Sequence, residues 1–339
     1  MRPPDYDLFE TLNFALSNGG VLPVARLAYV THGQLAPEKD NAILFPTWFG
    51  SDHLSNAWLI GPDKALDPRR YFIVCVNLLG NGLSSSPSNT PAPLDGPRFP
   101  RISVLDNVRL QRQMLREQYD IQRLQLVVGR SMGAQAAFQW GASFPLEAGR
   151  VFALCGSART TPHNQVFLDS IKAALQADCC WNSGDYRMQP EKGLRAMGRA
   201  YAAWAMSPHF YRQGLYLGEG VTSVEDYVQK RWAPNFLKRD ANDLLSMIGT
   251  WQTADIGSDP KFRGDWQSAL AAISAPALVM PSRTDMYFPP EDSAEAVAGI
   301  PDAELRVIES IWGHRAGSPG SDPRDIAAVD EAIRHLLGR

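Results

Sequence analysis

Cysteine is scarce: Cys75, Cys155, Cys179 and Cys180 are the only four in 339 residues, two are adjacent, and no C-x-x-C spacing occurs. That argues against a disulfide framework and against a thiolate metal site, so no metal is expected. The four read as buried or incidental thiols of a reducing compartment, which makes the cytoplasm the expected location. No basic run or stripe is present. The 33 basic residues stand against 36 acidic ones, for a net charge of −3, and nucleic acid is not expected as a partner. No stretch approaches the roughly 18 apolar residues of a membrane span, so a membrane is not expected either. The opening MRPPDYDLFETLNF lacks an apolar signal core and reads as mature protein. There is no phosphate-cradling glycine loop, no internal repeat and no low-complexity tract, so no nucleotide or other cofactor is expected.

What is present is an alternation of short apolar runs and helical patterns, with 45% hydrophobic residues to build a sizeable core. LFETLNFALSNGGVLPVARLAYVTHG predicts strands around the turn Asn18-Gly19-Gly20. NAILFP (Asn41 to Pro46) and YFIVCVNLLG (Tyr71 to Gly80) are continuous rather than alternating, as in buried parallel strands. ISVLDNVRLQRQMLREQY has helical spacing, with Val104, Val108, Leu110 and Leu115 near one face. LQLVV (Leu124 to Val128) predicts a strand, GAQAAFQWGASFP a small-residue helix ended by Pro145, and RVFALC (Arg150 to Cys155) the next strand. From Ser157 to about Trp266 the chain turns helical and rich in aromatics, and alternation then resumes from APALVMPSRTD to the closing helix IAAVDEAIRHLLG. The predicted class is α/β, a mostly parallel sheet. Residues 1–157 form its first part, 158–266 an inserted helical cap, and 267–339 its second part.

The stretch VVGRSMGAQAAFQW (Val127 to Trp140) spells G-x-S-x-G around Ser131. Five positions with three fixed residues carry little on their own. Here they lie between a predicted strand and a predicted helix, the setting in which a sharp turn lifts a serine hydroxyl above the sheet edge. A serine hydroxyl still needs a base within reach and a group to orient that base. In doubly wound hydrolases the chain order is Ser, Asp or Glu, then His. Asp285 follows the strand ALVMP in the loop SRTDMYFPPED, and His314 follows ELRVIES in the loop IWGHRAGSPG. Both loops lie past strand C-termini, where ligands bind in such sheets. His53 is the rival histidine, and Asp265 and Asp302 the rival acids, though neither acid follows a clean strand. An oxyanion would be held by the Met132 N–H and by a second N–H from the loop FPTWFGSDH, that of Trp48 or Phe49, Trp48 being preferred. Phe49, Arg130 next to the serine, and Trp204 in the aromatic stretch are the candidate substrate contacts.

Taken together, ARLAYVTHGQLAPEKDNAIL, NLLGNGLSSSPSNTP, GRSMGAQAAFQW, TADIGSDPKFRGDWQSALAAISAPALVMPSRTDMYFPPE and WGH resemble the homoserine O-acetyltransferase superfamily of α/β hydrolases, in order and over most of the chain outside the cap. The resemblance implies an eight-stranded α/β-hydrolase core, a helical cap, a cap-mediated homodimer and an acyl-enzyme on Ser131 completed by His314 and Asp285. Three departures matter. The transferases hold homoserine's carboxylate with an arginine in a G-L-x-x-x-R stretch, followed seven residues later by a tyrosine. In GLRAMGRAYAAWAM these positions are Gly198 and Ala205, with Arg195 and Arg199 out of step. The loop PTWFG replaces a form like H-A-L-T-G, and GHRAGSP replaces GHDAF. The chain therefore resembles the superfamily's esterase branch. A site that loses its carboxylate anchor loses discrimination for a zwitterionic acceptor, and water becomes the default acceptor. The expectation is a serine hydrolase of small-acyl carboxylic esters, with a small-molecule ester as its partner. The alternatives are an acyl-CoA-dependent O-acyltransferase using the same triad, and a non-catalytic hydrolase-like binding protein.

Overall fold

The computed structural model describes residues 5–218 and 220–339. Eight strands form one sheet: β1 (Asp7–Ala15), β2 (Val21–His32), β3 (Ala42–Pro46), β4 (Phe72–Val76), β5 (Leu126–Arg130), β6 (Val151–Leu154), β7 (Ala277–Met280) and β8 (Ala303–Leu305). Their order is β1-β2-β4-β3-β5-β6-β7-β8. β1 pairs antiparallel with β2, and β2 with β4; the remaining pairs are parallel. Every residue of β3 to β7 is buried, as their continuous apolar runs require of strands covered on both faces. β5 runs two residues past LQLVV, so the strand delivers the chain straight to Ser131. β8 is shorter than the apolar run AELRVIES. Beyond it the chain keeps tracking its neighbour, through Arg306 N–H to the Val279 carbonyl and Ile308 N–H to the Pro281 carbonyl, both 2.9 Å.

Helices α1 (Val104–Tyr119) and α2 (Met132–Ser143) pack on the sheet, as do α10 (Pro290–Ala298) and α11 (Pro323–Gly338), and α9 (Trp266–Ala271) packs on α2. α2 is buried along its whole length, and its small residues are the reason. A Cβ on Gly129 would lie 2.0 Å from the Gly133 carbonyl oxygen, and one on Gly133 would lie 2.8 Å from that of Pro46. The two glycines of the motif thus set how close strand and helix come.

Between β6 and β7 stand α3 (Pro162–Gln176), α4 (Glu191–Ala205), α5 (Pro208–Arg212), α6 (Val224–Tyr227), a π turn (Val228–Trp232), α7 (Ala233–Leu237) and α8 (Ala241–Gln252). Their apolar faces gather into one ring-rich cluster that also takes in Phe49, Leu78 and Met132 from the sheet side. Ala254, Ile256 and Trp266 join the sheet's own core instead. Asp243 of α8 ties this layer to the loop after β4, accepting from the Ser88 N–H (2.9 Å) and hydroxyl (2.6 Å).

Candidate active site

Ser131 sits between β5 and α2 with φ 55° and ψ −125°, a conformation L residues rarely adopt and one that needs the surrounding structure to hold it. Its N–H donates to the Leu154 carbonyl at 2.9 Å and its carbonyl accepts from Ala134 at 2.9 Å. Gly156 makes room on the far side: a Cβ there would lie 2.6 Å from the Ser131 carbonyl oxygen. Met132 is the first residue of α2, where a helix leaves its N–H groups without intrahelical partners.

The sheet edge brings Ser131, Asp285 and His314 together. His314 Nε2 lies 2.9 Å from Ser131 Oγ, and its Nδ1 2.7 Å from Asp285 Oδ2. The other carboxylate oxygen of Asp285 accepts from the N–H groups of Tyr287 (2.8 Å) and Phe288 (3.2 Å). A carboxylate held this way keeps the imidazole proton on Nδ1 and leaves Nε2 to accept from the serine. All three side chains are buried. Burial pushes the His314 imidazole below its ordinary pKa; Asp285 opposes this, and the nearby charges of Arg130 and Arg315 reinforce it. The ring is therefore neutral at pH 7, as a proton acceptor must be. Tyr287 and Phe288 pack on it with ring centroids 4.7 and 5.6 Å away.

The remaining candidates fall into different places. Trp48 donates its N–H to the Ser51 hydroxyl at 2.7 Å, and that hydroxyl donates to the Trp48 carbonyl. Phe49 stacks on Tyr201 (5.6 Å between centroids) and tilts against Trp251 (5.9 Å). Arg130 donates from Nη2 to the His314 carbonyl at 2.7 Å, with its guanidinium 5.2 Å from the centre of the Trp48 ring. Trp48, Phe49, Arg130 and His314 share a cavity of about 460 Å³. Trp204 does not line it. Tyr201 and Ala205, one helical turn apart, face the cavity, and Trp204, one position off that stripe, packs on His163 and Phe167.

The rivals have other partners. His53 is buried beside Asn77, whose side chain meets both its N–H and its Nδ1. Asp265 caps α9 through Ser268, and Asp302 pairs with Arg339. The family departures also have a physical basis. A Cβ on Gly198 would lie 3.1 Å from the Phe236 ring and 3.4 Å from Ala233 Cα, so α7 occupies the space an arginine would need. Arg199 is exposed and paired with Glu225, and Arg195 reaches Gln229; neither lines the cavity.

Arg315 and Arg239, which line the cavity, carried no motif in the sequence. Arg315 could have been noticed as the residue after the base. Arg239 could not, because it reaches the site from the helical layer. Elsewhere, Asp178, Cys179 and Cys180 bring possible ligand atoms within 4.8 Å of one another. The Asp178 carboxylate there already accepts from the Cys180 and Gly193 N–H groups. Burial raises the thiol pKa of Cys75 and Cys155, which keeps both protonated and inert.

The α/β-hydrolase fold family matches residues 43–316. The ethyl acetate hydrolase of Pseudomonas veronii is 36% identical over 335 residues, covering 97% of this chain and 95% of its own. The homoserine O-acetyltransferase of Chlorobaculum tepidum is 30% identical over 313 residues, covering 89% and 87%. The solved structure of an acetylester hydrolase from Corynebacterium glutamicum superposes with a TM-score of 0.95 at 36% identity, covering 98% of this chain and 96% of that one. Among the described residues no helix is long and apolar enough to cross a membrane. The chain belongs to the α/β-hydrolase fold family, on the side of it that carries the carboxylic ester hydrolases.

Proposed function

We propose that this chain is a serine hydrolase of carboxylic esters with small acyl groups. The observation that carries the reading is the unbroken hydrogen-bonded line from Ser131 Oγ through the His314 ring to Asp285, at 2.9 and 2.7 Å. Ser131 Oγ attacks the ester carbonyl carbon and its proton passes to His314 Nε2. The tetrahedral adduct collapses, and the alcohol leaves with that proton. Water then attacks the acyl carbon, gives a proton to His314, and the acid departs as Ser131 recovers its hydrogen. Asp285 holds the ring and stabilises the imidazolium. The N–H groups of Met132 and Trp48 receive the oxyanion. The Trp48 donor becomes available when the Ser51 hydroxyl rotates to another staggered position.

The named activities of the ethyl acetate and acetylester hydrolases support the same class. The acyl-transferase alternative lacks its cap arginine, for the steric reason given by Gly198. Residues 158–266 act as the cap. A homodimer through that layer fits the exposure of Val166 (62%), Met188 (72%) and Leu217 (52%), and a cytoplasmic location completes the reading.

The test is the fate of the acetyl group. Ethyl acetate and acetyl-CoA are supplied separately, each with and without homoserine or serine, with Ser131→Ala as the blank. Acetate release from the ester at a rate the amino acids do not change is the expected result. Consumption of acetyl-CoA only when an amino-acid alcohol is present would establish the transferase instead.

A further inference from the structure

The cavity beside His314 is lined by four cationic side chains, Arg130, Lys238, Arg239 and Arg315, and by one acid, Asp52. That acid caps the turn at His53, one carboxylate oxygen accepting from the Ser55 N–H and hydroxyl, and its charge favours the Arg239 cation. Among the described residues neither Arg130, Arg239 nor Arg315 has a carboxylate within 4.0 Å. Surface arginines such as Arg69, Arg98 and Arg112 do have one. The cavity arginines are held by carbonyls instead: Arg130 by His314, Arg239 by Asn235 and Arg315 by Pro319. Arg130 is 4% exposed, and its Nε is buried with no hydrogen-bond partner.

Four cations around one cavity leave it positive, although Asp52 and Asp285 act on Arg239 and Arg130 through their charge, and a partly or fully buried guanidinium gains when something negative joins it. Burial and the proximity of Arg130 already push Arg315 down to about 10. Arg239 lies over the loop that carries the expected oxyanion donor, its Nε 3.9 Å from where a Cβ on Gly50 would stand. His314 lines the cavity, as do Trp48 and Phe49 of the loop expected to hold the oxyanion. A group seated there lies beside the base, from which the leaving alcohol receives its proton.

We infer that the esters this chain prefers carry an anionic group, a carboxylate being the simplest, on the alcohol portion, seated among Arg130, Arg239 and Arg315. The inference rests on the ester-hydrolase reading and names the substrate class of that same site. It also places the positive charge on the residues next to the serine and the base, with Arg239 reaching in from above, rather than on the cap position held by Gly198.

The experiment compares isosteric ester pairs. γ-Acetoxybutyrate and γ-acetoxybutyramide differ only in charge on the alcohol side; monoethyl succinate and ethyl succinamate differ in the same way on the acyl side. The wild-type chain should cleave γ-acetoxybutyrate with a kcat/KM about 10–100-fold above its amide, the range expected of a charge-assisted hydrogen bond in a desolvated site. The succinate pair should show no such preference. Arg239→Gln and Arg315→Gln should each lower the ratio for the butyrate pair, and the double variant should bring it near one. Wild-type cleavage of the amide as efficient as that of the acid would overturn the inference while leaving the hydrolase reading intact. So would a ratio unmoved in both variants, or a charge preference confined to the succinate pair. If none of the four esters is cleaved, the hydrolase reading fails and this inference with it.

Discussion

The sheet and the helical layer above it treat side chains of the same kind in opposite ways. In the layer, Arg199 faces solvent and meets a carboxylate. At the sheet edge, Arg130 is turned inward and meets a carbonyl. The sheet's core is mostly aliphatic and small, so strand and helix can come within backbone contact at Gly129 and Gly133. The layer's core is built from large rings, Phe167, Tyr201, Trp232 and Trp251 among them. Close packing of small residues fixes positions to fractions of an ångström, and the reacting atoms sit on that part. Ring packing fills volume and decides what fits, and it is the part that overhangs the cavity.

The largest effect that could break this division comes from the serine. Ser131→Ala should reduce ester hydrolysis by about 10⁴–10⁶-fold, whereas Trp204→Ala, in the layer and off the cavity stripe, should stay within about tenfold of wild type. Acetate release measured on both would reverse the comparison if Trp204 proved the more damaging. Next comes Gly198→Arg, which places a long side chain against Phe236 and Ala233. The expected cost is about 1–3 kcal/mol of stability, read as a lower melting temperature, with no gain of acetyl transfer to homoserine. A gain would mean that α7 yields and that the layer, not the sheet, decides the acceptor.

The tie between the two regions gives a smaller, pH-dependent effect. Burial pushes the Asp243 carboxyl up to about 7. The folded chain therefore binds this proton more tightly than the unfolded one. Its contribution is fully present in acid, declines as pH rises from the ordinary carboxylate range to about 7, and changes no further above that. Asp243→Asn keeps an acceptor for Ser88 and removes the titration, so chemical denaturation across this window should show a flatter slope than wild type. The smallest effect is on the base. Because burial, Arg130 and Arg315 hold His314 below its ordinary pKa, the acid limb of kcat/KM should lie below the usual histidine range. Arg315→Gln removes one lowering cause and should move that limb to higher pH. A limb that moved down would show that Arg315 acts on the ring through something other than its charge.

Much of the sheet could be read in the sequence because its rules are local. Continuous apolar runs mark strands buried on both faces, and glycines around a serine mark a turn between strand and helix. The order Ser131, Asp285, His314 follows from chain topology, and the same topology explains why His53, though close in sequence to a site loop, packs with Asn77 instead. β5 lies two residues further along than the run LQLVV, because Gly129 and Arg130, which are not strand-like in composition, both stand in the ladder with β6. The helical layer gave up only its class. Whether Tyr201, Ala205 or Trp204 faces the cavity depends on how α4 is rotated against α3 and α7, a tertiary fact that no single helix's spacing contains. Arg239 and the hydrogen bond from Trp48 to Ser51 were hidden for the same reason: each joins residues whose meeting is set by packing rather than by pattern.

The backbone at Ser131 has a further consequence for how the chain tolerates change. A φ of 55° with ψ of −125° is comfortable only for a residue without Cβ. Two inactive variants can separate the chemistry from this strain. Ser131→Ala and Ser131→Gly both lack the hydroxyl and differ only in one methyl group. The glycine form should unfold later than the alanine form, by about 1–2 kcal/mol. A search for robustness alone would therefore drift toward glycine at the residue where activity begins, and a sturdier chain at that position would be a silent one.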